Sequence, residues 1–139
     1  MKLRWTKQMS VGNELMDAEH KTLLGMVNHI EDAISAKDPA ALLDSFSLFA
    51  NSVRAHFRDE AKLAQAIDYP FDDHVREHQY VLKELEAMKN EIAARKGKWS
   101  ESAAEHYLGF LSAWSTAHID EDDMKMKPLL VTLPYDFKP

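Results

Sequence analysis

The 139-residue chain carries a formal charge of −6 and no cysteine, which excludes disulfides, thiolate metal sites, iron–sulfur clusters and cysteine nucleophiles. The acidic balance, with no run of Lys or Arg, argues against nucleic acid or an anionic membrane as partner. The length suits a single domain over 1–139, divided into an arm (1–12), a bundle (about 13–127) and a tail (128–139). No apolar window reaches membrane-spanning length, so the expectation is a cytoplasmic protein, monomeric or weakly self-associating.

Gly and Pro are sparse, and apolar residues recur at spacings of three and four, the pattern of long helices rather than strands. The opening residues hold Trp5, Met9 and Val11 without period, so they read as an irregular arm anchored by Trp5. The first helix should begin between Asn13 and Asp17, carry His20, Leu23, Leu24, Val27, Ile30 and Ile34 on one stripe, and stop at Lys37-Asp38-Pro39. Asp38 as N-cap and Pro39 at the first helical position start the second helix. Its stripe is Phe46, Phe49, Val53, His56, Glu60, Leu63 and Ile67, the alternating three-and-four spacing of a bundle seam.

Tyr69-Pro70 breaks that pattern. The third helix then carries His74, His78, Val81 or Leu82, Leu85, Met88 and Ile92, with Gly97 suited to a left-handed stop. Ser100, or Ser102 with Glu105 as a capping box, opens the fourth helix. Its inner stripe reads Ala104, Leu108, Leu111, Ser115 and His118. Four long helices with short links predict an all-α, up-down-up-down antiparallel four-helix bundle, with Leu129, Leu130, Val131 and Leu133 of the tail covering a face or joining subunits.

Five of the seven histidines, His20, His56, His74, His78 and His118, fall on inner stripes together with Glu60. A single histidine on an apolar face is commonly a hydrogen-bonded core residue. Five on four helices would be costly to bury with a carboxylate unless something shared satisfies them, and a metal centre does so in one step. After His118 come Asp120, Glu121, Asp122 and Asp123. Ordinary helix geometry favours Asp122, four on, whereas Asp123 would need a π-turn or the helix end. Imidazoles with carboxylates and no sulfur suit iron, zinc or manganese, and the number of donors exceeds what one tetrahedral ion can take.

Taken together, Trp5, Asp17-Ala-Glu-His20-Lys, His56-Phe-x-x-Glu60, Tyr69, His74-x-x-x-His78 and His118-Ile-x-x-x-Asp123 resemble the hemerythrin family, in its bacterial single-domain branch, from about Trp5 to Leu130. The resemblance implies two iron ions with a bridging oxo or hydroxo group. His74, His78 and His118 would hold one iron, His20 and His56 the other, and Glu60 and Asp123 would bridge. It implies reversible binding of dioxygen, for carriage, storage or delivery, at the iron with two histidines. Leu23, Phe57, Val81, Trp114 and Ser115 would line the oxygen pocket. Nitric oxide and peroxide are further small ligands of such a site, and a peroxidase, an oxidase or a sensor is the alternative use of it.

Ser115, Ala61, Ala64, Val81 and Met126 stand where this family usually has Leu, Glu, Met, Phe and Tyr. They imply either repacking by Met26, Phe57 or Trp114, or a roomier and wetter pocket. A rival reading takes His74-Val-Arg-Glu-His78 as an inverted zinc-peptidase motif in which Glu77 activates water, but this leaves three inner histidines without a role. A ferritin-like site would need two Glu-x-x-His motifs, which the chain lacks.

Overall fold

The computed structural model describes residues 2–96 and 98–139. Four helices make up the bundle: α1 (Glu14–Ser35), α2 (Pro39–Ala66), α3 (Asp72–Arg95) and α4 (Glu101–Ala117). No strand occurs among the described residues. Contacts run between α1 and α2, α2 and α3, and α1 and α4, so the fourth helix returns to the first and closes an up-down-up-down ring. Beyond α4 the chain continues as a π turn (His118–Asp122), a 3-10 turn (Asp123–Met126) and a short α5 (Lys127–Leu130). The arm contains one 3-10 turn, Lys7–Met9.

The helix starts follow from side-chain caps. Asn13 accepts from the Met16 amide at 3.1 Å, Asp38 from Ala41 at 3.0 Å and Ser100 from Ala103 at 3.1 Å. Ser100 therefore caps α4, and Ser102 lies inside the helix. The left-handed residue that ends α3 is Lys96, at φ 48°; Gly97, expected in that role, lies outside the described residues.

Burial follows the stripes with small rotations. On α4 the buried residue is Tyr107 and Leu108 is only half-buried, because the apolar stripe of this helix runs through Ala104, Tyr107, Leu111 and Trp114. On α3 it is Val81, with Leu82 half-buried. Ile34 and Ile67 are likewise half-buried near the ends of their helices.

The core is divided in two. A large cluster includes Leu23, Val27, Phe46, Phe49, Val53, Phe57, Val81, Leu85, Leu111 and Trp114. A smaller one, at the end where the arm and the tail meet, joins Val11, Met16, Leu63, Ala64, Met126 and Leu130. Full burial of each large side chain contributes roughly 1.5–3 kcal/mol. His20, His56, Glu60 and His118 lie in the chain between members of the two clusters, so the polar layer is sandwiched between apolar ones.

Asp17, considered as a helix cap, instead ties the arm and the tail to α1. Its carboxylate accepts from the Val11 amide at 2.9 Å, from Ser10 Oγ and from the Tyr135 hydroxyl at 2.8 Å. Glu14 N–H donates to Tyr135 O at 2.8 Å, and Asn13 Nδ2 to Phe137 O at 3.0 Å. Of the tail's apolar residues only Leu130 is fully buried, whereas Leu129 and Val131 are exposed. Trp5 anchors the arm through its ring, which Lys21 Nζ approaches to 4.3 Å from the centroid. No helix among the described residues is long and apolar enough to cross a membrane.

Candidate metal centre

All seven proposed ligands are buried in one layer: His20 from α1, His56 and Glu60 from α2, His74 and His78 from α3, and His118 and Asp123 from the π turn and the residue after it. The π turn is what admits Asp123. Its amide donates to His118 O, five residues back, so the turn is one residue wider than an α turn. Asp123 therefore arrives on the same face as His118, fully buried, while Asp122 is half-buried, its backbone carbonyl 3.1 Å from His74 Nε2 and its carboxylate on the outer side of His118 with Glu77.

The two carboxylates face opposite directions with their two oxygens. Glu60 Oε1 is 3.6 Å from both His74 Nε2 and His78 Nε2, while Oε2 is 3.3 Å from both His56 Nε2 and His118 Nε2. Asp123 Oδ2 meets His20 Nε2 at 2.7 Å, His118 Nε2 at 2.9 Å and His56 Nε2 at 3.3 Å, and Oδ1 is 3.8 Å from His74 Nε2. Four overlapping groups have ligand atoms within 4.8 Å of one another: three are fully buried (His20, His56, His118 and Asp123; Glu60, His78 and His118; Glu60, His74 and Asp123), and the fourth, Glu77, His118 and Asp122, has two half-buried members at the edge of the layer. His118 belongs to three of them, and Glu60 and Asp123 each belong to two.

The donor set fits a metal pair. Both Glu60 oxygens, Asp123 Oδ1 and His78 Nε2 are buried without a hydrogen-bond partner, although they point into one small volume. Two carboxylates in a dry layer are costly unless cations neutralise them. In the metal-free chain protons take that role. Burial pulls His56 down, yet hydrogen bonds to Asp123 and Glu19 raise it to about 9. Burial acts likewise on His118, but the Asp123 carboxylate, 2.9 Å away, and then the nearby Glu60 and Glu77 carboxylates lift it well above its ordinary value. Burial would raise Asp123, and the surrounding imidazoles hold it well below the usual carboxylate range. His20 goes the other way, lowered by burial despite its bond to Asp123.

Two carboxylates outside the layer face imidazoles, one through a hydrogen bond and one through charge alone. Glu19 Oε1 bonds His56 Nδ1 at 2.7 Å. Glu77 Oε1 accepts from Trp114 Nε1 at 2.7 Å, and its Oε2 is 3.8 Å from His118 Nδ1. The Glu19 bond fixes the His56 ring with Nε2 turned toward the buried layer, where it would be available to a metal. Neither has this role in the sequence reading: Glu19 and Glu77 sit directly before His20 and His78, yet each meets the ring of a different histidine, His56 and His118. Glu77 meets the outer nitrogen of His118, which is not the place from which it would activate water on a metal held by His74 and His78.

Aromatic rings wall the layer. Phe57 stacks on His78 with centroids 3.6 Å apart and planes at 3°, Trp114 stacks on His118 at 5.0 Å, and Phe71, not foreseen here, stacks on His74 at 5.0 Å. Tyr69 meets His74 edge-on at 5.5 Å. Leu23 and Val81 pack in the same apolar cluster as Phe57 and Trp114. Ser115 is buried, and its hydroxyl has no hydrogen-bond partner. Ala61 is exposed and so lines no buried pocket, while Ala64 and Met126 pack together in the smaller apolar cluster. His29 and His106 are exposed and take no part.

Comparison with known proteins gives a consistent picture. The Hemerythrin HHE cation binding domain matches residues 11–130. Bacteriohemerythrin of Pseudomonas aeruginosa is 26% identical over 122 residues, 87% of this chain and 76% of that protein. Bacteriohemerythrin of Ralstonia nicotianae is 26% identical over 125 residues, 89% of this chain and 85% of that one. Among solved structures, a hemerythrin carrying a leucine-to-tyrosine substitution superposes with a TM-score of 0.82 at 22% identity, covering 94% of this chain and 99% of the other. At that identity the likeness is one of fold.

Proposed function

The chain belongs to the hemerythrin family, and from that premise we propose that it is a cytoplasmic non-haem di-iron protein that binds dioxygen reversibly, for carriage, storage or delivery. The observation that carries this reading is the convergence of five imidazoles and two oppositely facing carboxylates in one buried layer. His20, His56, His74, His78 and His118 would hold two irons, with Glu60 and Asp123 shared between them and an oxo or hydroxo group completing the bridge. When bound, the irons supply a coordination site for oxygen and the two electrons that reversible binding requires.

The chain's own residues set the conditions for that chemistry. Glu60 and Asp123 neutralise the cations, and each directs one oxygen to either side. Glu19 orients His56 from outside through a hydrogen bond, and the Glu77 carboxylate places its charge 3.8 Å from His118 Nδ1. Phe57, Trp114, Leu23 and Val81 exclude water on the apolar side of the layer, which limits proton delivery to a bound ligand.

One observation favours the second reading, in which the same centre serves as a peroxidase, an oxidase or a sensor of oxygen, nitric oxide or redox state. The unpaired buried hydroxyl of Ser115, one helical turn before His118, places a polar group beside the ligands. Anaerobic loading with ferrous iron, metal counting and cycling between oxygen and vacuum distinguish the two. A visible charge-transfer band that appears with oxygen and vanishes under vacuum, at two irons per chain, is the expected result. Immediate irreversible oxidation would favour the enzyme or the sensor, and fewer than two irons would overturn the di-iron reading.

A further inference from the structure

Two surface clefts reach the ligand layer, and their chemistry differs. Between α1 and α2, a cleft of about 230 Å³ ends on Leu23 and His56 and is edged by Ala18, Thr22, Ser52 and the acidic Glu19. Between α2 and α3, a wider groove of about 360 Å³ ends on Phe57 and His78, with Val75 and Leu82 on its wall and Arg54 and Arg58 at its edge. Gln79 and Leu82 also line the adjoining surface depression, which adds Arg76, Tyr80, Lys83 and one acid, Glu86.

We propose that this α2–α3 groove is the docking surface for an acidic one-electron-transfer protein that returns the iron pair to the ferrous state. The proposal rests on the di-iron reading above. Three features of the groove carry it.

The first is charge. The chain as a whole is acidic, at −6, yet four cations gather here. Arg54 is paired with Glu86 at 3.2 Å and Arg76 with Asp73 at 3.7 Å. Arg58 and Lys83 form no ion pair among the described residues, so their charge is available to a partner.

The second is the apolar centre. Val75 is 40% exposed and Tyr80 57%; Arg54 and Arg58 line the groove with Val75, and Arg76 and Lys83 line the depression with Tyr80. An apolar middle with a charged rim over a small area is the composition of transient redox contacts, which bury less than about 1,200 Å².

The third is reach. His78 lines the groove, its ring stacks on Phe57 at 3.6 Å, and its Nε2 lies 3.6 Å from Glu60 Oε1. A donor seated in the groove is thus separated from a ligand imidazole by van der Waals contact alone. The α1–α2 cleft also touches a ligand, but with Glu19 at its edge and no cation it would repel an acidic donor.

The electron balance is simple. Each donor is oxidised by one electron, two donors reduce two ferric ions to ferrous, and the proton that balances the charge passes from water to the bridging oxygen.

Flavodoxin, an acidic flavin protein, serves as the probe. Reduced flavodoxin is mixed with the oxidised iron-loaded protein in a stopped-flow instrument, and oxidised flavodoxin is titrated by calorimetry. The expected result is a salt-dependent rate and measurable binding for the native chain. The double variant Arg58→Glu/Lys83→Glu should lose about tenfold or more in second-order rate at low ionic strength, with weakened binding. Reduction by dithionite should be unchanged in that variant, and Lys138→Glu should behave as the native chain.

Equal rates and equal binding for the native chain and the double variant would overturn the proposal, as would absence of binding by the native chain. A chain that carries no reducible iron would instead overturn the di-iron reading, while the calorimetric titration would still report on docking.

Discussion

Asp123 and His118 are joined by a backbone hydrogen bond that spans five residues, and this widened turn is why an acid five positions on, rather than four, enters the buried layer. In a regular helix Asp123 would lie roughly 140° from His118, since successive residues differ by about 100°. Asp122 would then take the inner position. Instead Asp123 Oδ2 lies within 3.3 Å of three imidazole nitrogens.

The two aspartates therefore make opposite predictions. Asp123→Asn should drop bound metal below two ions per chain and destabilise the metal-free fold by about 3–5 kcal/mol, because it strands buried histidines without their counter-charge. Asp122→Asn should leave metal content unchanged, since that residue contributes its backbone carbonyl. Metal analysis and denaturant unfolding of the two variants read both outcomes, and a reversed order would refute the π-turn geometry.

The pH dependence of the metal-free protein should show an optimum. His56 is raised from 6.5 to about 9, so its contribution is complete below pH 6.5 and is lost as pH rises through about 9. His118 acts in the same direction. His20 is lowered from 6.5, so its contribution is present above that value and is lost as pH falls. Asp123 is held below 3.8 and weakens the fold only in stronger acid. Thermal midpoints of metal-free protein should thus peak near pH 6.5. Metal must displace the protons on His56 and His118, so loading at neutral pH should release protons to an indicator dye, and metal affinity should rise with pH.

Glu19 and Glu77 should matter to metal affinity although neither belongs to the inner layer. Glu77 is held below its ordinary value, burial being outweighed by His118 and Trp114, so it is anionic where it meets the His118 ring. Glu19→Gln and Glu77→Gln should each weaken metal binding by about 10–100-fold in competition with a chelator, with little loss of helix content. Trp114→Phe, which removes the bond to Glu77, should move affinity in the same direction by less.

How much of this was legible in the sequence varies with the kind of interaction. The seam Phe46, Phe49, Val53, His56, Glu60, Leu63 could be read directly, because its spacing is a property of the helix alone. Asp38 was readable as a cap for the same reason, while Asn13 and Ser100 were each one of two candidates, beside Asp17 and Ser102, that the structure separates. The choice of Asp123 was not available from spacing, since a π turn is a local exception to the period being counted.

Roles that depend on two distant segments were hidden altogether. Asp17 looked like a cap, and its latch to Val11 and Tyr135 requires knowing where the tail returns. In the sequence Glu77 reads only as the water-activating acid of a rival zinc motif, and Glu19 has no role, because neither spacing shows which ring the acid meets. Tyr107 displaced Leu108 through a small rotation of α4 that no helical pattern resolves.

Ser115 offers a prediction that separates stability from function. Its hydroxyl is buried without a partner, a state that costs about 1–3 kcal/mol relative to an apolar side chain of similar shape. Ser115→Ala should therefore leave the fold intact and raise its stability by about 1 kcal/mol in denaturant unfolding. Ser115→Leu adds volume beside Trp114 and His118 and removes the only polar atom of that residue that could guide water or a proton toward the ligands. If the centre binds oxygen, the leucine variant should slow spontaneous oxidation of the iron-loaded protein by severalfold, and the alanine variant by less, because it removes polarity but leaves the space. Oxidation followed by visible absorbance in air-saturated buffer gives the comparison. An unchanged rate in the leucine variant, with oxygen binding retained, would show that Ser115 is a packing residue and that proton access lies elsewhere.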